Sequence, residues 1–173
     1  QSNMSLDSAK KIVYQDSLTG IANRYSLFQD LNNHITRKER FLILFLDLDN
    51  LKNINDTHGH NTGDEYLKHF ANSMLRQVQN IGKSYRFAGD EFVCIIFKEL
   101  NTFDIITFEQ SIVADMNKEF QFSGVSIGLS EHPKDGDNPD ILLHIADSNM
   151  YGIKNNKKIG SNHLKLRNRN REI

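Results

Sequence analysis

The stretch Phe41-Leu-Ile-Leu-Phe-Leu-Asp-Leu-Asp49 decides the fold. Phe41 to Leu46 is apolar without a break. The run is too short for a globular helix and lacks the alternation of a strand with one wet face. It predicts a central strand buried on both sides. Aspartate is a poor strand residue, yet two stand at 47 and 49, at the exit of the run. Spacing of two puts both carboxylates on one face. Charge beside a core is costly unless a cation or hydrogen bonds compensate it.

Toward the N-terminus, Ile21, Tyr25, Phe28, Leu31 and Ile35 repeat at helical spacing and predict a helix to about Arg37. Asp16 to Gly20 is a turn cluster. Leu6, Ala9 and Val13 predict a helix over 5–15, and Gln1-Ser2-Asn3 reads as an expression-tag remnant. The organisation expected is therefore a tag remnant and linker helix over 1–15, a domain over 16–166 and a tail over 167–173.

Toward the C-terminus, Gly59 and Gly63 punctuate an expected loop. An amphipathic helix carrying Tyr66, Leu67, Phe70, Met74, Leu75 and Val78 comes next. Strands are predicted at Ser84–Phe87 and Phe92–Phe97, and Gly89 between them favours a tight hairpin. A third amphipathic stretch covers about 103–119, and Val125, Ile127 and Leu129 mark another strand. After a polar loop from Pro133 to Pro139, a helix over Asp140–Lys154 is expected to turn Ile141, Ile145, Met150 and Ile153 inward. A short last strand is expected at His163–Leu166. Hairpins mixed with crossovers argue for an α+β fold, a mainly antiparallel sheet flanked by helices.

Composition narrows the function classes. The 173 residues suit one domain, and 38% apolar content supplies a core. Twenty-one basic and twenty-two acidic side chains leave a net charge of −1, which argues against a broad electrostatic grip on nucleic acid. Cys94 is the only cysteine, so no internal disulfide forms; it reads as a small buried hydrophobe. No apolar run approaches the roughly 20 residues that span a bilayer. These features read as a cytoplasmic domain that is not itself membrane-inserted, even where a parent protein is membrane-anchored.

The expected hairpin turn adds a second acidic pair, Asp90 and Glu91. If its strands neighbour the central one, the carboxylates converge, and hard oxygen ligands of this kind suit Mg²⁺ or Mn²⁺. The alternative is two unrelated, solvated loop ends. Between the pairs lies a polar segment from Lys52 to Asp64 that includes Asn55, Asp56, His58 and His60. An amide and a carboxylate together match the edge of guanine, although such segments are also ordinary turns. Lys154, Lys157, Lys158, Lys165, Arg167, Arg169 and Arg171 form a basic stretch. It is either a solvated tail or, where a lysine lies near the sheet, a neutraliser of phosphate. His58 and His60 lack the further ligands that zinc requires. No nucleophile elbow or Walker loop occurs.

Several ordered motifs then resemble one family. Asp16-Ser-Leu-Thr-Gly-Ile-Ala-Asn-Arg24, the segment Phe45 to His60, Gly63-Asp64 and Arg86-Phe-Ala-Gly-Asp-Glu-Phe92 are similar to those of the GGDEF diguanylate cyclases. The resemblance runs from Asp16 to about Lys158. It implies a palm-like sheet of the nucleotidyl-cyclase and polymerase kind, with a ferredoxin-like core. It also implies joining two GTP molecules into cyclic di-GMP with loss of two pyrophosphates, in a transient homodimer. Carried over by position, Asp47, Asp90 and the Leu48 carbonyl would hold Mg²⁺ or Mn²⁺, and Asp90 would accept the proton of the attacking ribose hydroxyl. Asn55 and Asp64 would read guanine, with His60 and Gly89 at the nucleotide. Lys52 would stabilise phosphate charge, Lys154 and Lys158 would contact the terminal phosphates, and Glu91 belongs to the signature.

Departures from the family pattern are equally specific. Ala88 replaces the first signature glycine, and Leu51 a usual phenylalanine. Lys157-Lys158-Ile159 stands where Gly-Arg-Asn is usual. The product-binding Arg-x-x-Asp motif of many members would put its charged residues at Gln79 and Gly82, neither of which is charged. Two other readings share part of the pattern. One is an idle GTP-binding module that regulates an attached domain. The other is a mononucleotide cyclase or polymerase-like palm.

Overall fold

The computed structural model describes residues 5–171. Four strands, β1 (Phe41–Leu48), β2 (Gly82–Ala88), β3 (Glu91–Ile96) and β4 (Val125–His132), form one antiparallel sheet in the order β2-β3-β1-β4. Six helices accompany it among the described residues: α1 (Leu6–Tyr14), α2 (Arg24–Thr36), α3 (Leu51–His58), α4 (His60–Val78), α5 (Ile105–Asn117) and α6 (Pro139–Arg171). This is the expected α+β arrangement.

The lack of alternation in β1 follows from cover on both faces. Leu42, Leu44, Leu46 and Leu48 join a core with Phe70 and Met74 of α4 and Ile112 and Met116 of α5. Phe41, Ile43 and Phe45 point the other way, into Leu27 and Leu31 of α2 and Leu142, Ala146 and Met150 of α6. Full burial contributes roughly 1.5–3 kcal/mol for each such side chain. Asp47 continues the odd-numbered series and so lies on the α6 face. Cys94 is buried in the first of these cores, as its neighbours suggested.

Three expectations need correction. The segment after β1 is not a loop: α3 and α4 almost abut, and the break is Gly59 alone, at φ 88°. Leu51 is buried and Ile54 packs against the core, so tertiary contact turns a polar segment into helix. Gly63 lies inside α4. The rotation of α6 also differs. Leu142, Leu143, Ala146 and Met150 face inward, whereas Ile141 and Ile153 are 44% and 42% exposed. Gly128 of β4 sets this: a Cβ there would stand 2.1 Å from the Ala146 carbonyl oxygen, so the helix backbone rests on the sheet. Finally, the backbone over His163–Leu166 belongs to α6. Four residues of alternation do not outweigh a run rich in Lys, Leu and Arg, all good helix formers.

Gly82 opens β2 under similar crowding: a Cβ there would stand 1.9 Å from the Ile95 carbonyl oxygen. Among the described residues, no helix is long and apolar enough to cross a membrane.

Candidate active site

The exit of β1 and the tip of the β2–β3 hairpin meet because the two strands are sheet neighbours. Asp47 stands directly opposite Glu91 in the register, and the Leu48 amide donates to the Asp90 carbonyl at 3.1 Å. Like charges opposed across strands are destabilising, so this junction carries a cost. Burial pushes the Asp47 carboxyl up to about 6, Lys154 pulls against that, and the charge of Asp90 adds to it. Glu91 is raised too, first by burial and then by the charges of Asp47, Asp147 and Asp90.

The opposing cations come from α6. Lys154 Nζ lies 3.0 Å from Asp47 Oδ2 and 3.9 Å from Asp49 Oδ1, and donates to the Leu48 carbonyl at 3.3 Å. Asp47 and Asp49 thus share one side, as their spacing suggested. Lys157 Nζ donates to Asp49 Oδ2 at 2.9 Å and to the Val125 carbonyl at 2.6 Å. Asp49 is 8% exposed, and its Oδ1 accepts from Ser126 Oγ at 2.9 Å.

These residues fit a hard dication. Asp47 Oδ1 is buried with no hydrogen-bond partner. The Leu48 carbonyl already accepts from a cationic ammonium. Asp47, Asp49, Asp90 and Glu91 face only Lys154 and Lys157 as ion-pair partners among the described residues, so the junction is short of positive charge. No three His, Cys, Asp or Glu side chains among the described residues are set to hold a metal unaided. Two carboxylates and a carbonyl would share the ion with water and phosphate oxygens, the usual habit of Mg²⁺.

A second cluster lies on α3 and α4. The Asn55 amide packs over Gly63: a Cβ at 63 would stand 1.7 Å from Asn55 Oδ1. Asp64 follows Gly63 on α4 and is half-buried. Lys52 and His60 are exposed on the same two helices, Gly89 is exposed at the hairpin tip, and Lys158 is exposed on α6. Among the described residues, Lys158 makes no ion pair; Lys157 makes the contact to the acidic group. Ala88 has an ordinary backbone, since the non-glycine residues at positive φ are Lys38 and Asn50.

The sequence reading did not single out the clamp on the hairpin tip. Arg86 donates to the Gly89 carbonyl from Nε at 3.2 Å and from Nη2 at 2.9 Å. Its Nη1 meets both Asp16 oxygens at 3.3 and 3.2 Å. Burial would raise the Asp16 carboxyl, but bonds from Thr19 and Arg86 pull it below its ordinary value. Asp16 opens the Asp16–Arg24 motif and Arg86 the Arg86–Phe92 motif, and their opposite charges were the available signal.

Residues 13–159 match the family model described as diguanylate cyclase, GGDEF domain. The chain belongs to that family. It is 34% identical over 158 residues to diguanylate cyclase DgcP of Escherichia coli, covering 84% of this chain and 46% of that protein. The chain thus spans about half the length of that relative. The GGDEF domain of TpbB (YfiN) from Pseudomonas aeruginosa superimposes with a TM-score of 0.68 at 31% identity, over 83% of this chain and 90% of that one. The structure of a microbial GGDEF domain interacting with bis-(3′,5′)-cyclic di-GMP gives a TM-score of 0.71 at 28% identity, over 84% and 93% of the two chains.

Proposed function

We propose that this chain condenses two GTP molecules into cyclic di-GMP and two pyrophosphates, with Mg²⁺ or Mn²⁺, at a two-fold pair of domains. The catalytic unit is read as residues 16–166. The observation that carries the reading is the junction itself: a partnerless buried oxygen on Asp47, Asp90 and Glu91 beside it, and the Leu48 carbonyl turned to a cation.

Each domain holds one nucleotide. Asn55 and Asp64 take the guanine edge, the amide meeting an acceptor and the carboxylate accepting from ring N–H and amino groups. His60 and Gly89 border the nucleotide, and Lys52, Lys154 and Lys158 spread the phosphate charge. Asp90 accepts the proton of the attacking ribose hydroxyl as its oxygen joins the partner's α-phosphorus and pyrophosphate leaves. Asp47, Asp90 and the Leu48 carbonyl would hold the metal, which when bound neutralises charge on the phosphate oxygens. Structures of GGDEF domains with cyclic di-GMP support a product of this kind.

Incubation with GTP and Mg²⁺, followed by chromatographic separation of products, tests the reading. Cyclic di-GMP and pyrophosphate in a one-to-two ratio are expected. Unchanged GTP at all protein concentrations would overturn it.

A further inference from the structure

Lys157 stands where the resembling family usually has glycine. It lies one helical turn beyond Lys154, so both ammonium groups leave the same side of α6. Lys154 is shared between two carboxylates, at 3.0 Å from Asp47 and 3.9 Å from Asp49. Asp49 is almost fully buried, and Lys157 is its nearest cation, at 2.9 Å. The Val125 carbonyl fixes the same ammonium from the far side at 2.6 Å. Gly124 shapes the pocket from below: at φ 106°, with a Cβ that would stand 2.9 Å from Asp49 Oδ2, it allows the carboxylate to sit against bare backbone.

We propose that Lys157 is a positioning residue for the nucleotide: by neutralising Asp49 it leaves Lys154 available to the phosphates. The inference rests on the reading of this site as a GTP site. A buried carboxylate needs a paired cation. With Lys157 in place, Asp49 has its own, and Lys154 can leave Asp47 once a metal and a triphosphate arrive. Without Lys157, Asp49 claims Lys154. The ammonium then stays on the β1 exit and the phosphates lose a partner.

The mechanism predicts two effects of opposite sign, which simple loss of packing would not produce. Removing the Lys157 charge makes the junction more negative, so a bare metal binds better. The same change holds Lys154 back, so nucleotide binds worse. The probes are Mn²⁺ alone, followed by electron paramagnetic resonance, and 3′-deoxy-GTP with Mg²⁺, followed by calorimetry. The deoxy analogue lacks the attacking hydroxyl, so its binding is read without turnover. In Lys157→Met, 3′-deoxy-GTP should bind about tenfold more weakly and Mn²⁺ about threefold more tightly, or roughly 1.4 and 0.6 kcal/mol. Lys157→Arg should restore both to within about twofold. The double variant Asp49→Asn, Lys157→Met removes the carboxylate that competes for Lys154, and should recover most of the nucleotide affinity.

Parallel loss of both affinities, or neither changing while only the melting temperature falls, would overturn the proposal. Persistence of the nucleotide defect in the double variant would also overturn it, because Lys157 would then touch phosphate itself. If Lys157→Met does not fold, Lys157→Gln removes the same charge and is read by the same two measurements. Variants that show these binding effects, beside a wild-type chain that makes no cyclic di-GMP, would refute the proposed reaction and leave this inference standing.

Discussion

Asp47 shows how one side chain can serve a site at the expense of the fold. Its carboxyl is held near 6, against an ordinary 3.8, chiefly by burial. Between those values the folded chain keeps a proton that the unfolded chain releases. The associated stability is present at low pH and is lost as pH rises through about 4 to 6. Relative to Asp47→Asn, the wild type should therefore lose on the order of 2 kcal/mol between pH 4 and 7 in chelator, by urea denaturation. A difference independent of pH would contradict this. Mg²⁺ at pH 7.5 should raise the wild-type melting temperature and leave that of Asp47→Asn unmoved. Turnover should fall on the order of a thousandfold in Asp47→Asn and in Asp90→Asn, with the far-ultraviolet spectrum retained. Gly63 gives a second test at this scale. A methyl there displaces the Asn55 amide, although alanine suits a helix better than glycine by about 1 kcal/mol. Gly63→Ala should keep or raise stability while cutting the preference for GTP over ATP at least about tenfold, measured by competitive binding. Unaltered base preference would remove Asn55 from the guanine contact.

Among the elements, the β2–β3 hairpin is held by more than its turn. Arg86 ties the Gly89 carbonyl to Asp16, so the turn before α2 and the hairpin tip move together. Arg86→Met should lower kcat by roughly 10²-fold with a small change in KM, since the loss is one of positioning. Asp16→Asn should show the same pattern more weakly, and a pure KM effect in both would refute the clamp. The hairpin and β1 were legible because their signals are local: an apolar run, a turn glycine, paired acids. The Arg86–Asp16 link was not, because it joins positions 70 residues apart. The polar sequence of α3 concealed a helix, since only Leu51 and Ile54 anchor it and its other faces are wet. The rotation of α6 depends on Gly128, a residue on a different element, which helical periodicity alone does not reveal. For the site, residue types and order pointed to the carboxylate junction, and the guanine contact proposed for Asn55 and Asp64 rests on residue type and resemblance. The lysine that reaches Asp49 was legible only as a departure from the pattern, because its partner becomes clear only once α6 lies on β4.

For the whole molecule, the proposed reaction needs two copies, each presenting one nucleotide across a two-fold axis. α1 packs mainly on α2, and none of its own residues is buried. The isolated chain should therefore be mostly monomeric, with specific activity rising as protein concentration rises. Constant specific activity in a sample shown by light scattering to stay monomeric would count against this. Product feedback should be of one kind only. Gln79 and Gly82 carry no charge, so cyclic di-GMP should inhibit by competing with GTP. Non-competitive inhibition abolished by changes around Gln79 would contradict this. Gly82 also bears on descent. Its α-carbon faces the Ile95 carbonyl so closely that no side chain of any kind fits. A lineage with this packing cannot acquire an acidic group there by one codon change, since the first step would break the β2–β3 ladder before any product was bound.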